Sequence, residues 1–271
     1  MLDSHPDLAI PPETGFLIFP FEETLDPEVS RDRFFHAITS YPPESPGWVD
    51  FQIPAEDFRQ KLCELQPFAV AEGLRIFYRM YADRFHKSRW GDKTPLYCRH
   101  LRRIEALLPE ARFVHLIRDG RDAAISLRKQ WFSPGHEIGV QARYWRDNVK
   151  TAREQGSACR HYLEVRYEDL VRNTQTQLQR ICAFLDLDYH PGMLRYYEGA
   201  SRRLQEHTGR SRAHGSVAVT PEARRQQQAQ TKYPPDASRI GAWRSALPEE
   251  DCREFQAIAG DLLEELGYPT C

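Results

Sequence analysis

No run of apolar residues in this chain approaches the roughly 18–20 needed to cross a bilayer, which excludes a membrane-spanning helix. Glycine is sparse, with 15 in 271 residues and no period, so a collagen-like rod is excluded, and the 19 prolines are equally scattered. Net charge is almost absent: Lys+Arg 37 against Asp+Glu 39 leaves −2, which argues against a dedicated nucleic-acid binder. The opening Met1-Leu2-Asp3-Ser4-His5-Pro6-Asp7 has neither the basic stretch nor the apolar core of a secretory leader, and a cytoplasmic location is expected. The six cysteines, Cys63, Cys98, Cys159, Cys182, Cys252 and Cys271, lie far apart with no CxxC or Cys/His pair at zinc-ligand spacing. They read as ordinary thiols, no metal is expected, and a disulfide scaffold is unnecessary at this length. What remains is the composition of a soluble globular protein, long enough for one large α/β domain or two small ones.

Punctuation by Pro11-Pro12, Pro20, Pro42-Pro43 and Pro46 predicts loops with short helices over the first 55 residues. From Pro54 to His86 apolar residues recur at threes and fours, predicting two helices broken near Pro67. Trp90 to Pro95 reads as a short strand ending in a turn, and Leu96 to Leu108 as an amphipathic helix. The run Arg112-Phe113-Val114-His115-Leu116-Ile117 is too short for a helix and reads as a buried strand. Arg121 to Gln130 then reads as a helix, as does 138–154. Tyr162 to Tyr167 repeats the strand signature, and a helix with apolar Leu170, Val171, Leu178, Ile181, Phe184 and Leu185 follows. Strands alternating with helices imply a parallel sheet covered on both faces. Residues 195–245 carry ten Lys/Arg against four acids and are expected to form an irregular, partly mobile loop. Two readings stand for that loop: a solvated surface segment, and a lid over an anionic ligand. The chain closes with a helix from Pro248 to Leu266, stopped by Gly267.

One stretch carries chemistry. In Phe113 to Ser126 a strand ends in Arg118, Asp119-Gly120 makes the turn, and a helix carries Ser126. Guanidinium, hydroxyl and free backbone N–H groups then gather at the carboxyl edge of a sheet, where α/β folds bind ligands. A phosphate suits such donors. The plainer reading, an ordinary strand-end Arg and a surface Ser, stays open on chemistry alone.

Arg118-Asp119-Gly120-Arg121 with Ser126 eight residues after the first Arg resembles the 3′-phosphate segment of sulfotransferases that use 3′-phosphoadenosine 5′-phosphosulfate. Tyr167-Glu168-Asp169-Leu170 resembles another landmark of that family, and Gly91-Asp92-Lys93-Thr94-Pro95 its lysine segment. Leu2 to Asp7 and Glu13-Thr14 resemble tyrosylprotein sulfotransferases, and Gly241-Ala242-Trp243-Arg244 the bacterial branch. The resemblance implies an α/β, P-loop NTPase-like three-layer fold with a central parallel sheet and helices on both faces. It implies one domain over 1–271, with 20–88 a helical and loop insertion on the acceptor side. Arg118 and Ser126 would bind the 3′-phosphate, Lys93 would face the sulfuryl group and leaving 5′-phosphate, and Glu13 would be the general base. Lys232 or Arg239 of the basic loop would close over the donor. Glu13 ranks above His5, a packing residue in the resemblance, and His115, which reads as a core histidine.

The family places a strand, a phosphate-cradling loop and a helix ahead of the Leu-Asp-Ser-His-Pro stretch, and no segment of the 271 residues supplies them or a GxxxxGK[ST] motif. The expected sheet thus lacks its first strand and P-loop, and donor binding by the chain as given is expected to be poor. Three readings follow. The leading one is sulfuryl transfer to an acceptor hydroxyl or amine, on a small molecule, saccharide, lipid or protein tyrosine. The second is an N-terminally truncated, silent protein of the same fold, and the third a P-loop kinase, which would need a Walker lysine that is not visible.

Overall fold

The computed structural model describes residues 1–22, 24–130, 132–211 and 215–270, the side chain of Ala218 apart. Arg212 and Cys271, counted above among the loop cations and the thiols, lie outside the described residues. In chain order the strands are β1 (Leu8–Ala9), β2 (Arg89–Trp90), β3 (Phe113–Ile117), β4 (Tyr162–Arg166), β5 (Arg210–Ser211) and β6 (Val217–Val219). The helices are α1 (Pro27–Thr39), α2 (Ala55–Cys63), α3 (Val70–Asp83), α4 (Leu101–Leu107), α5 (Gly120–Leu127) and α6 (Ile138–Ser157). They continue as α7 (Tyr167–Arg172), α8 (Thr174–Phe184), α9 (Tyr196–Arg203), α10 (Pro221–Gln227), α11 (Trp243–Ala246) and α12 (Glu249–Glu265). Among the described residues no helix is long and apolar enough to cross a membrane.

The chain divides into two units, Met1–Tyr97 with Tyr189–Pro234, and Cys98–Asp188 with Pro235–Cys271. In the first, β1 and β2 pair in parallel, with Leu8 opposite Arg89 and Ala9 opposite Trp90. The long connection between them is helical, as parallel pairing requires. Its amphipathic helix α3 buries Leu74, Phe77, Tyr78 and Tyr81, and Phe16, Phe51 and Phe58 pack against the Phe77 ring. α2 and α3 flank Gln66-Pro67, where the break was expected.

In the second unit β3 and β4 pair in parallel from Phe113 opposite Tyr162 to Ile117 opposite Arg166. Crossing through α5 and α6, this is the expected α/β repeat. Its core gathers Ile117, Trp145, Val149, Trp243, Phe255, Leu262 and Tyr268. A Cβ on Gly120 would stand 2.5 Å from the Trp145 ring and 2.7 Å from that of Phe255, so only glycine lets α5 start this close to α6 and α12.

Several expectations are corrected. Parallel pairing holds, but the described strands form two parallel pairs and one antiparallel pair, β5 with β6. The helix expected over 96–108 is a 3₁₀ turn, Pro95–Arg99, followed by α4, and the helix expected after Tyr167 is split into α7 and α8 around Asn173. Within 195–245 the described residues include α9, β5, β6 and α10, and distant acids pair with three of the segment's cations. Asp50, fully buried, accepts from Arg210 at 2.9 Å and Arg224 at 2.8 Å, and Asp3 accepts from Arg203 at 2.7 Å. Cys252 is disulfide-bonded rather than an ordinary thiol, whereas Cys63, Cys98, Cys159 and Cys182 are free.

Candidate active site

The first group of site residues hangs from the carboxyl ends of β1 and β2. β1 runs through Pro11-Pro12 into Glu13, and β2 runs directly into Asp92-Lys93. Lys93 donates to the Glu13 carboxylate, and both side chains reach solvent, 63% and 47% exposed. The structure therefore brings together the expected lysine and the expected base.

Beneath that pair lies a set of hydroxyls that sequence reasoning missed. The hydroxyl of Thr14, buried, donates to Asp92 Oδ2 at 2.5 Å, and Tyr78 donates to the same oxygen at 2.6 Å. Thr94 donates to Asp92 Oδ1 at 2.9 Å, while its hydroxyl oxygen accepts from the Thr14 backbone N–H at 3.2 Å. With the Thr14 proton committed to Asp92, the 2.8 Å contact between Thr14 and Tyr97 is a donation from Tyr97. The Tyr78 ring is stacked on Trp90 with centroids 4.4 Å apart. Burial pushes the Asp92 carboxyl above its ordinary range, against the opposing effect of the Thr14, Tyr78 and Thr94 hydrogen bonds.

The second group is built on β3 and α5. Arg118 follows the last residue of β3, and its guanidinium lies 4.8 Å from the ring centroid of Tyr167. Its Nη2 donates to the Arg239 carbonyl at 2.9 Å, so these two expected residues are adjacent, although Arg239 contributes its backbone there and its side chain faces Asp236 at 3.8 Å. The Nε of Arg118 is buried without a hydrogen-bond partner. Ser126, on α5, is exposed, and its hydroxyl has no partner among the described residues. Lys232 is exposed in the 3₁₀ turn Ala229–Lys232.

The other members of the Arg118 motif are structural. Arg121 is fully buried, paired with Asp119 at 2.9 Å, bonded to the Pro269 carbonyl at 2.7 Å, and 3.7 Å from the Trp243 ring centroid. Asp122, also buried, accepts from the backbone N–H of Gly241 at 2.7 Å and of Trp243 at 2.9 Å, tying the late Gly-Ala-Trp-Arg stretch to α5. Glu168 accepts from Asp119 N–H at 2.9 Å and from the Tyr268 hydroxyl at 3.0 Å. The Tyr-Glu-Asp-Leu stretch thus fixes the turn after β3 with its glutamate and supports Arg118 with its tyrosine.

The rival histidines fall away. His5 is buried, with Nδ1 accepting from the Asp7 N–H at 3.0 Å. His115, half-buried on β3, contacts the Tyr162 hydroxyl at 2.6 Å, and burial holds its imidazole down to about 4, which leaves it neutral. His207, which sequence reasoning passed over, is held down to about 4 by burial and by Arg224, whose Nη2 donates to its Nδ1 at 3.2 Å.

The fold is that of known sulfotransferase domains. The sulfotransferase domain of the Synechococcus PCC 7002 olefin synthase matches over 100% of this chain and 89% of its own, with TM-score 0.63 and 22% identity. The sulfotransferase domain from the curacin biosynthetic pathway matches over 100% of this chain and 92% of its own, with TM-score 0.57 and 19% identity. The sequence profile of the sulfotransferase family matches residues 1–191, and the chain belongs to that family. A Caenorhabditis briggsae protein named "Putative protein-tyrosine sulfotransferase" is 24% identical over 186 residues, which are 66% of this chain and 60% of that protein. The chain thus spans about 60% of the length of this curated relative.

Proposed function

We propose that this sulfotransferase takes its sulfuryl group from 3′-phosphoadenosine 5′-phosphosulfate and passes it to an acceptor hydroxyl or amine. The observation that carries the donor assignment is the buried, unpartnered Nε of Arg118. A buried donor without an acceptor costs free energy, of order 1–3 kcal/mol, and an anion at the guanidinium removes that cost. The exposed Ser126 hydroxyl offers a second donor to the same phosphate, and the Tyr167 ring, 4.8 Å from the guanidinium, supports it.

The donor supplies an activated sulfuryl group. The S–O bond to its 5′-phosphate oxygen breaks as a new bond forms from sulfur to the acceptor oxygen or nitrogen, leaving adenosine 3′,5′-bisphosphate and the sulfated acceptor. Lys93 offsets negative charge that grows on the leaving oxygen. Glu13 accepts the proton that the acceptor loses, a role for an ionised carboxylate. Lys232 or the Arg239 side chain, both exposed cations, closes over the donor. The name of the Caenorhabditis briggsae relative supports a phenolic hydroxyl as one acceptor.

The test is transfer of label from donor carrying radioactive sulfate to a panel of tyrosine peptides, saccharides, lipids and small alcohols, with Glu13→Gln alongside. Label on at least one acceptor, lost in the variant, supports the reading. Label transfer at an equal rate by the variant removes Glu13 from the role of base.

A further inference from the structure

Glu13 and Lys93 belong to separate strand ends and are themselves largely exposed, so their ion pair alone is weak. Exposed pairs contribute about 0.2–1 kcal/mol because two long side chains must be held in one geometry. What distinguishes this pair is the order of its chain neighbours. Thr14 follows Glu13, Asp92 precedes Lys93, and these two are joined by the 2.5 Å hydrogen bond described above. A second bond, from Thr14 N–H to the Thr94 hydroxyl at 3.2 Å, joins the same two segments on the other side of Lys93.

We propose that Asp92 and Thr14 are positioning residues that hold the Glu13 carboxylate and the Lys93 ammonium at a set separation, acting through the backbone rather than on substrate. This rests on the assignment of Glu13 and Lys93 to the transfer reaction. Three hydroxyls converge on one carboxylate, and the most buried of them, that of Tyr78, belongs to a side chain locked against Trp90. A network whose donors are all committed has one low-energy arrangement, and it transmits that arrangement to the residues on either side. Asp92 lies behind the lysine within the Gly-Asp-Lys-Thr-Pro stretch, so the same five residues supply both the lysine and the group that orients it.

The experiment is competitive acetylation of the full chain with trace acetic anhydride. The label on Lys93 is read by peptide mass spectrometry against Lys61, whose partner Glu64 belongs to a separate surface pair. Glu13→Gln frees the ammonium and raises the Lys93/Lys61 ratio by about threefold, the size expected for an exposed pair. Thr14→Val is expected to raise it equally, Thr14→Ser to leave it at the wild-type value, and the Thr14→Val/Glu13→Gln double variant to add nothing beyond Glu13→Gln. Tyr78→Phe, which keeps the ring on Trp90 and removes one donor, is expected to raise the ratio as well and serves if Thr14→Val does not fold. A wild-type ratio in Thr14→Val, or in Tyr78→Phe where that variant stands in, overturns the proposal. So do additive effects in the double variant, or no response to Glu13→Gln. Repeating the labelling with adenosine 3′,5′-bisphosphate separates the two claims: lack of protection at Lys93 counts against the donor assignment alone, because the lock is judged on the ratios without nucleotide.

Discussion

The guanidinium of Arg118 rests 4.8 Å from the ring centroid of Tyr167, a residue 49 positions later in the chain that follows the last residue of the parallel strand β4. This contact gives the Tyr-Glu-Asp-Leu stretch a physical purpose: it supports the residue proposed to grip the donor. Tyr167→Leu removes the ring and leaves the charge. A cation–π contact at a partly exposed site is worth about 0.5–1 kcal/mol, so affinity for adenosine 3′,5′-bisphosphate should fall roughly two- to fivefold in calorimetry, with little change in unfolding midpoint.

Asp122 accepts two backbone N–H groups from the Gly241–Trp243 segment. Asp122→Ala leaves both donors buried and unpaired, and urea unfolding should report a loss of about 2 kcal/mol or more. A stability equal to wild type would mean that water replaces the carboxylate and that this tie is dispensable.

Gly120→Ala would force a methyl group against the Trp145 and Phe255 rings. Overpacking of this kind costs about 1–3 kcal/mol, so the thermal midpoint should drop even though alanine is the better helix former.

Acid should weaken the fold in a defined window. Burial holds His115 down to about 4 from an ordinary 6.5, and His207 likewise. As pH falls through 6.5 the unfolded chain takes up these protons first and the folded chain does not, so stability is full above 6.5 and drains towards 4. Asp92 has the opposite sign, because its raised carboxyl takes a proton in the folded state before the unfolded one. His115→Asn should flatten the limb between 6.5 and 4 in urea midpoints measured across pH, and an unchanged limb would show that the imidazole takes up its proton as readily in the folded chain as in the unfolded one.

Local pattern made much of this molecule readable. The apolar run at 112–117 is β3, the periodic stretch at 54–86 is α2 and α3, and the strand-end Arg118 and helical Ser126 stand on the elements expected for them. The Glu13–Lys93 pair was legible as two residue types joined by family resemblance. The hydroxyl network was not legible, because Thr14 meets Asp92 across 78 residues and Tyr97 across 83, and no periodicity records such pairings. The ion pairs of the basic segment were not legible for the same reason. Its basic composition reads as solvated, and only the fold reveals that Asp50 and Asp3 hold Arg210, Arg224 and Arg203.

The most direct measurement is a comparison of adenosine 3′,5′-bisphosphate with adenosine 5′-monophosphate by calorimetry on wild type and Arg118→Ala. The ratio of the two affinities isolates the 3′-phosphate from every contact to the 5′ side. Wild type should prefer the bisphosphate by more than about tenfold, one charge-assisted contact's worth, and Arg118→Ala should abolish the preference. Equal affinity for the two nucleotides in wild type, or a preference that survives in Arg118→Ala, would contradict the assignment.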